Sequence, residues 1–156
     1  MPQKYIIANC GKPNQGKSES LNKLINVVKQ AGQATLVHEE WQYDGGTKRE
    51  TDRFVKFECS NIKIAIITQG DKSDSALADC LRDSAAWDAD VIVCSANVAS
   101  QINNLPELKD YERTFFENPK ANYGVTPYYI ECEAYNKAFA YGTVTIIETL
   151  YGINLI

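Results

Sequence analysis

The sequence predicts an α/β fold of three layers, in which helices cover both faces of a mainly parallel sheet that has one antiparallel edge strand. Short apolar runs, typical of buried parallel strands, alternate along the chain with amphipathic segments of helical period. No repeat, low-complexity tract or linker divides the 156 residues. We therefore expect a single domain, residues 1–156, a size that buries about two-thirds of the unfolded surface.

The first loop has the pattern G-x-x-x-x-G-K-S, known as the P-loop or Walker A motif, which cradles phosphate. It spans Gly11–Ser18. The probability that its four fixed residues occur together by chance is about 4 × 10⁻⁵ at any one starting residue. The probability that the motif occurs by chance anywhere in a chain of this length is therefore below about 1%. The motif therefore predicts phosphate binding, provided that a strand precedes it and a helix follows it.

Both flanks of the motif have the required pattern. Residues 4–9 contain a short apolar run without polar alternation, which predicts a buried strand. After the motif, apolar side chains recur at i, i+3, i+4 and i+7 and predict an amphipathic helix that ends at Gly32. The apolar positions of this helix are Leu21, Leu24, Ile25 and Val28.

The chemistry follows from this geometry. Gly11 and Gly16 allow backbone N–H groups to face phosphate oxygens, and the helix amino terminus adds positive partial charge. Lys17 is expected to reach the β- and γ-phosphates, and the Ser18 hydroxyl to complete a Mg²⁺ shell. The predicted nucleotide-binding set is Gly11, Lys12, Pro13, Asn14, Gln15, Gly16, Lys17, Ser18 and Glu19. The alternative is a glycine-rich turn with surface lysines.

Three further strands are predicted in the first half of the chain. Residues 34–38 form a second strand, and residues 41–52 have the composition of a surface loop. Residues 53–58 and 63–68 are typical of a hairpin in which an exposed edge strand precedes a fully buried one.

The buried strand of this hairpin ends in polar residues, where proteins with a P-loop place a second contact to phosphate or metal. Asp71 is the candidate for a carboxylate linked to the metal, and Gln69 for a residue that orients water. The alternative for Asp71 is a turn or a cap of the next helix.

The second half of the chain continues the alternation. We expect a helix at 74–87, a strand at 91–94, a helix-compatible segment at 107–116, a strand at 127–132 and a closing helix at 133–150. Because residues 143–147 are rich in β-branched side chains, a strand is an alternative prediction for that segment. Arg113 is the candidate catalytic arginine of a lid, since guanidinium stabilises charge on a transferring phosphoryl group. Pairing with acidic neighbours on the surface is its alternative.

Composition narrows the function classes. The 16 Lys and Arg against 20 Asp and Glu leave the chain mildly acidic, which does not favour non-specific attraction to nucleic acid. The apolar runs are strand-sized and no secretion leader is apparent, so we predict no membrane segment and a cytoplasmic location. The five cysteines form no C-x-x-C pair and are expected to be free thiols.

Beyond the general pattern, Gly11–Ser18 followed by Leu21–Leu24 resembles the G-x-P-N-x-G-K-S and L-x-N-x-L sequences of Era-like GTPases. In that family a threonine of a switch loop, here Thr47 or Thr51, precedes a strand that ends in D-T-x-G. In this chain Ile67-Thr68-Gln69-Gly70 occupies that place, so the aspartate is replaced by isoleucine. No N-K-x-D motif, which selects guanine, follows residues 91–94.

A second resemblance covers residues 4–97. Lys12 precedes Lys17 by five residues, the spacing of the lysine pair in the K-G-G-x-G-K-T loops of ParA- and MinD-like ATPases. The strand that follows Gly32 directly and the Ala-Asp-Val-Ile-Val run at 89–93 are also similar to that group. Pro13-Asn14 replaces its two glycines, and Glu39 and Glu40 replace its aspartates.

These resemblances imply a P-loop NTPase-like sandwich that binds ATP or GTP with Mg²⁺. The expected activity is slow hydrolysis of the nucleoside triphosphate, as a switch or a device coupled to a protein partner or a homodimer. The first alternative is a kinase for a small molecule or a nucleotide, with Glu39 or Glu40 as base and Arg113 in a lid. The second is a binding or interaction module without catalysis, motivated by the missing aspartate at Ile67 and Thr68.

Overall fold

The computed structural model describes residues 3–11, 17–44, 47–68, 74–117 and 128–156. Six strands are present in these ranges: β1 Lys4–Cys10, β2 Thr35–Asp44, β3 Thr47–Cys59, β4 Ile62–Ile67, β5 Val91–Ala96 and β6 Tyr111–Glu117. The helices are α1 Lys17–Ala31, α2 Asp74–Ala86, α3 Ser100–Asn103 and α4 Tyr128–Tyr151, with a 3₁₀ turn at Pro106–Leu108.

The six strands form one mixed sheet in the order β2-β3-β4-β5-β1-β6. The neighbours β4, β5, β1 and β6 pair in parallel, whereas β3 is antiparallel to both β2 and β4. The predicted α/β class with a mainly parallel sheet is therefore confirmed. The predicted position of the antiparallel strand is wrong, because β2 and not β3 occupies the edge.

The difference arises in residues 41–52, which were expected to be a surface loop. In the structure β2 continues to Asp44 and β3 begins at Thr47, so that most of this segment is strand. Ladder hydrogen bonds to the partner strand satisfy the backbone, and charged side chains are well tolerated next to a sheet edge. Local polarity therefore did not prevent strand formation.

Two apolar cores lie on opposite faces of the sheet. On one face α1 and α4 pack together over side chains such as Ile7, Phe57 and Val93. On the other, α2 and α3 cover side chains such as Ile6, Phe54 and Cys94. Successive strand residues alternate between the two cores, as the period of two in a strand requires.

The helix α1 matches its prediction closely. Its four predicted apolar positions, Leu21, Leu24, Ile25 and Val28, are all buried. Gly32 follows the last helical residue with φ of 72°, the left-handed conformation that glycine adopts without a steric penalty. The stripe read from the sequence therefore faces the sheet.

Two predicted elements in the second half are wrong. Residues 107–116 were expected to be helical, but Tyr111–Glu117 pairs in register with Lys4–Cys10 along the full length of β1. Residues 127–132 were expected to be a strand, but α4 begins at Tyr128. The β-branched segment of residues 143–147 is also helical, because burial of Thr143, Val144 and Ile147 outweighs its β propensity.

Replacing Phe57 by alanine tests the core beneath α1. Phe57 is 1% exposed, so Phe57→Ala should lower the free energy of unfolding by about 3–5 kcal/mol through lost burial and a cavity. Phe115, on β6, is 37% exposed, and Phe115→Ala should lower it by only about 1–2 kcal/mol. Urea unfolding of both variants measures this, and equal losses would contradict the packing described.

Candidate functional site

The loop predicted to bind phosphate connects the carboxyl end of β1 to the amino end of α1. The N–H of Gly11 donates to the carbonyl of Ala96, the last residue of β5, at 3.1 Å. The helix α1 then begins at Lys17. The 15-residue helix places its positive end at the carboxyl edge of the parallel strands, which favours an anion there.

Ser18, in the first turn of α1, contacts two groups from the sheet. Its Oγ lies 3.1 Å from the carbonyl oxygen of Thr68 and 3.3 Å from Oδ1 of Asp52. Asp52 belongs to β3 and is only 5% exposed. The predicted hydroxyl of the motif therefore faces a buried carboxylate.

Asp52 is the site residue that sequence reasoning missed. It stood at the end of a segment expected to be a surface loop, where an aspartate is ordinarily solvated. A sequence pattern does not show which strand will approach the amino end of α1. Only the antiparallel pairing of β3 with β4 carries Asp52 to Ser18.

Thr68 follows the last residue of β4 and is fully buried. Its carbonyl accepts a hydrogen bond of 2.6 Å from Ser95 Oγ and is also within reach of Ser18. Its Oγ1 accepts from the N–H of Arg53 at 2.7 Å, and its own N–H donates to the Arg53 carbonyl at 3.0 Å. Thr68 thus connects α1, β3, β4 and β5.

Polar residues of neighbouring strands lie side by side across the sheet next to Thr68, and we call them the polar row: Asn9, Ser95, Thr68 and Arg53. The register of β1 and β5 places Asn9 opposite Ser95, next to Thr68. Asn9 is fully buried, its Oδ1 accepts from the Tyr135 hydroxyl at 2.8 Å, and its Nδ2 has no hydrogen-bond partner in the part of the chain that the structure describes. Burial, with the neighbouring Cys10, raises the pKa of Tyr135 to about 12, so this hydroxyl stays protonated and donates.

Arg53 lies at the other end of the row, with 6% of its side chain exposed. Its guanidinium donates to Oδ1 of Asn22 at 2.7 Å and of Asn26 at 2.9 Å, both on α1. It also donates to Glu39 Oε2 at 3.0 Å and lies 4.9 Å from the centre of the Trp41 ring. All three nitrogens of this buried cation therefore have acceptors.

The structure places the other predicted residues as follows. Lys12, Pro13, Asn14, Gln15, Gly16, Gln69 and Asp71 lie outside the described residues. Lys17 is the first residue of α1, and Glu19 is exposed in its first turn. Arg113 donates to the carbonyls of Tyr111 and Leu108, towards the amino end of β6 and not towards Ser18.

The two glutamates considered as a base also have defined surroundings. Glu39 accepts from Lys29 at 2.7 Å as well as from Arg53. Burial alone raises the pKa of this carboxyl, but the hydrogen bonds and charges of Lys29 and Arg53 outweigh burial and leave the pKa lowered. Glu40 is exposed and lies 3.3 Å from the ring of His38.

The oxygens near Ser18 fit a magnesium ion. Mg²⁺ takes oxygen ligands at about 2.0–2.1 Å in octahedral geometry, so that neighbouring ligands are about 2.9 Å apart. The hydroxyl of Ser18 and the carboxylate of Asp52, 3.3 Å apart, approach this separation. Within the described ranges, no three His, Cys, Asp or Glu side chains group together as a metal site.

Comparison with known proteins identifies no relative: no family model matches the chain, and no curated protein or solved structure is significantly similar to it. Among the helices of the described ranges, none is both long and apolar enough to cross a bilayer.

Glu39→Gln tests the charge balance around Arg53. Because the pKa of Glu39 is lowered in the folded state, its charge stabilises the fold above the ordinary value of 4.5, and this is lost as the pH falls through the lowered value. At pH 7 the variant should lose roughly 1–2 kcal/mol of unfolding free energy, and the gap should narrow below pH 4.5. Denaturant unfolding across pH measures it.

Glu40→Gln is the matched control, since Glu40 is exposed and should contribute about 0.5 kcal/mol or less. A gap between wild type and Glu39→Gln that is the same at pH 4 and pH 7 would contradict the proposed role of the carboxylate charge.

Proposed function

We propose that this chain binds a nucleoside triphosphate, ATP or GTP, with Mg²⁺ at the loop of residues 11–16, and hydrolyses it slowly as a switch or partner-coupled NTPase. The observation that carries the proposal is the contact of Ser18 with buried Asp52 at the amino end of α1. A strand, a loop with the phosphate-binding pattern and a helix meet there, next to a carboxylate held out of water. The finer fold proposed is accordingly a P-loop NTPase-like sandwich.

In this proposal Asp52 takes the metal-linked role that the sequence assigned to Asp71. Asp52 is only 5% exposed, and a divalent ion beside its carboxylate would stabilise the charged form of this nearly buried group. Ser18 would contribute its hydroxyl oxygen to the ion, and Lys17 would neutralise phosphate charge. Lys12 would add a second cation from the loop.

Hydrolysis is favoured over transfer to a small acceptor by the surroundings of three residues. Glu39 accepts from Lys29 and Arg53 and has a lowered pKa, so it is a weak candidate for a substrate base. Glu40 lies beside His38, and Arg113 is bonded within its own segment. The groups that the kinase alternative requires are thus occupied elsewhere.

The proposal includes a cytoplasmic location and stimulation by a protein partner or a second copy of the chain. Among the described residues, Cys59, Cys80 and Cys94 carry thiols that form no disulfide, which supports a reducing compartment. Burial raises the pKa of Cys80 to about 12, which makes that thiol unreactive.

Lys17→Ala tests nucleotide binding directly. Removing the lysine that meets the β- and γ-phosphates should weaken binding of ATP or GTP with Mg²⁺ by roughly 100-fold, with an unchanged thermal midpoint of the free protein. Isothermal calorimetry against ATP, GTP, ADP and GDP measures the affinities. Lys23→Ala, in the same helix, is the matched control, and equal affinities of wild type and Lys17→Ala would refute the proposal.

Asp52→Asn tests the metal role. The amide keeps an oxygen for Ser18 but loses the charge, so nucleotide affinity should fall about tenfold or more with Mg²⁺ and change little with EDTA. Phosphate release with Mg²⁺ should fall in parallel. Asp79→Asn, at an exposed position of α2, controls for the change in net charge, and a loss that does not depend on Mg²⁺ would count against Asp52 as a ligand.

A further inference from the structure

A cavity of about 500 Å³ lies between α1, α4 and the β2–β3 pair, and we call it the lateral cavity. Sites for small molecules usually measure about 300–1,000 Å³. Its wall on α1 extends from Glu19 to Asn26, about 10 Å along the helix axis. The described part of the lining therefore lies along the side of α1, starting from the first turn of that helix.

The two helices present the same residue types to the lateral cavity. Each has the sequence Glu-x-x-Asn-Lys, and all three named positions of both copies are in the wall. They are Glu19, Asn22 and Lys23 on α1 and Glu133, Asn136 and Lys137 on α4. The hydroxyl of Ser20 donates to Asn136 Oδ1 at 2.6 Å and holds the two copies side by side.

Hydrogen bonds orient the asparagine amides of this wall. Arg53 donates to Oδ1 of both Asn22 and Asn26, and a guanidinium has no acceptor, so the two amides must turn their oxygens towards it. The amide nitrogens then lie on the side away from Arg53. Asn136 is held in the same way, with its oxygen bonded to Ser20. The amide groups of Asn26 and Asn136 are thereby oriented so that each presents an N–H₂ donor in the wall.

Among the described residues, the charges of the wall nearly cancel. Two glutamates and two lysines line it, with Glu133 and Lys137 paired at 3.5 Å on α4, and the charge of Arg53 is met by Glu39 at 3.0 Å. A strongly anionic or cationic ligand would meet repulsion from one set of groups. Hydroxyl groups both donate and accept hydrogen bonds, and they can use the carboxylates, the ammonium groups and the amides together.

Trp41 adds an aromatic surface to the lateral cavity. The guanidinium of Arg53 lies 4.9 Å from the ring centre and fixes the ring by a cation–π contact. The negative face of an indole attracts the weakly positive C–H face of a ring that carries hydroxyls at its edge. The wall thus combines a flat apolar platform with polar groups of both kinds.

We infer that the lateral cavity binds a neutral, hydroxyl-rich small molecule of the sugar or polyol class. The oriented amides donate to its oxygens, the carboxylates accept from its hydroxyls, and Trp41 packs against its carbon skeleton. This site goes beyond nucleotide binding and does not depend on it.

Fluorescence of Trp41 tests the inference, in a Trp87→Phe background that leaves Trp41 as the only tryptophan. The neutral probes are ribose, glucose, myo-inositol and glycerol, and the charged probes are glutamate, spermidine and inorganic phosphate. We expect a saturable change in Trp41 fluorescence with at least one neutral probe. No charged probe should bind more tightly than that neutral probe.

Asn26→Asp tests whether the N–H₂ group of Asn26 donates to the ligand, while the hydrogen bond that Asn26 accepts from Arg53 is kept. Its carboxylate still accepts from Arg53, but the N–H₂ donor is gone, so affinity for the neutral probe should fall about tenfold while the thermal midpoint is kept. Asn103→Asp, exposed on α3, controls for the added charge. Asn136→Asp, which still accepts from Ser20, repeats the comparison if one variant folds poorly.

The inference is overturned if no neutral probe saturates, if only charged probes bind, or if both Asn→Asp variants bind as the wild type does. Lys17→Ala should bind the neutral probe with unchanged affinity. This measurement distinguishes a wrong inference about the lateral cavity from a wrong proposal about nucleotide binding.

Discussion

Thr68 makes the hydrogen bonds on which the candidate phosphate site depends. Its carbonyl lies within reach of the hydroxyls of Ser18 and Ser95, while its side chain and N–H bond to the backbone of Arg53. Because Thr68 is fully buried, any of these groups left without a partner would cost about 1–3 kcal/mol. The first turn of α1 is thereby held against three strands, and Asp52 is brought to Ser18.

Arg53 connects the two candidate sites of the molecule. Its backbone is bonded to Thr68 beneath the first turn of α1, and its side chain lies in the wall of the lateral cavity. The same guanidinium orients the amides of Asn22 and Asn26 and holds the ring of Trp41. Arg53 is therefore a residue that contributes to the surroundings of both sites.

The sequence predicted the flanks of the loop well because their evidence is local. The buried face of α1 follows from a period of 3.6 residues, and its end follows from Gly32. The prediction was poorest where non-local pairing decides the structure. Residues 111–117 form a strand because β1 offers an unpaired edge, and residues 47–52 extend β3 because β2 lies beside them.

By itself the sequence determined the α/β class, the order of strand, loop and helix around Gly11–Ser18, and the residue types able to meet phosphate. Only the tertiary structure decided that Asp52 faces Ser18, and that two Glu-x-x-Asn-Lys sequences share one cavity wall. The physical reason is that periodicity and propensity act over a few residues. Contacts between β3 and α1, or between α1 and α4, depend instead on how the whole sheet pairs and is covered.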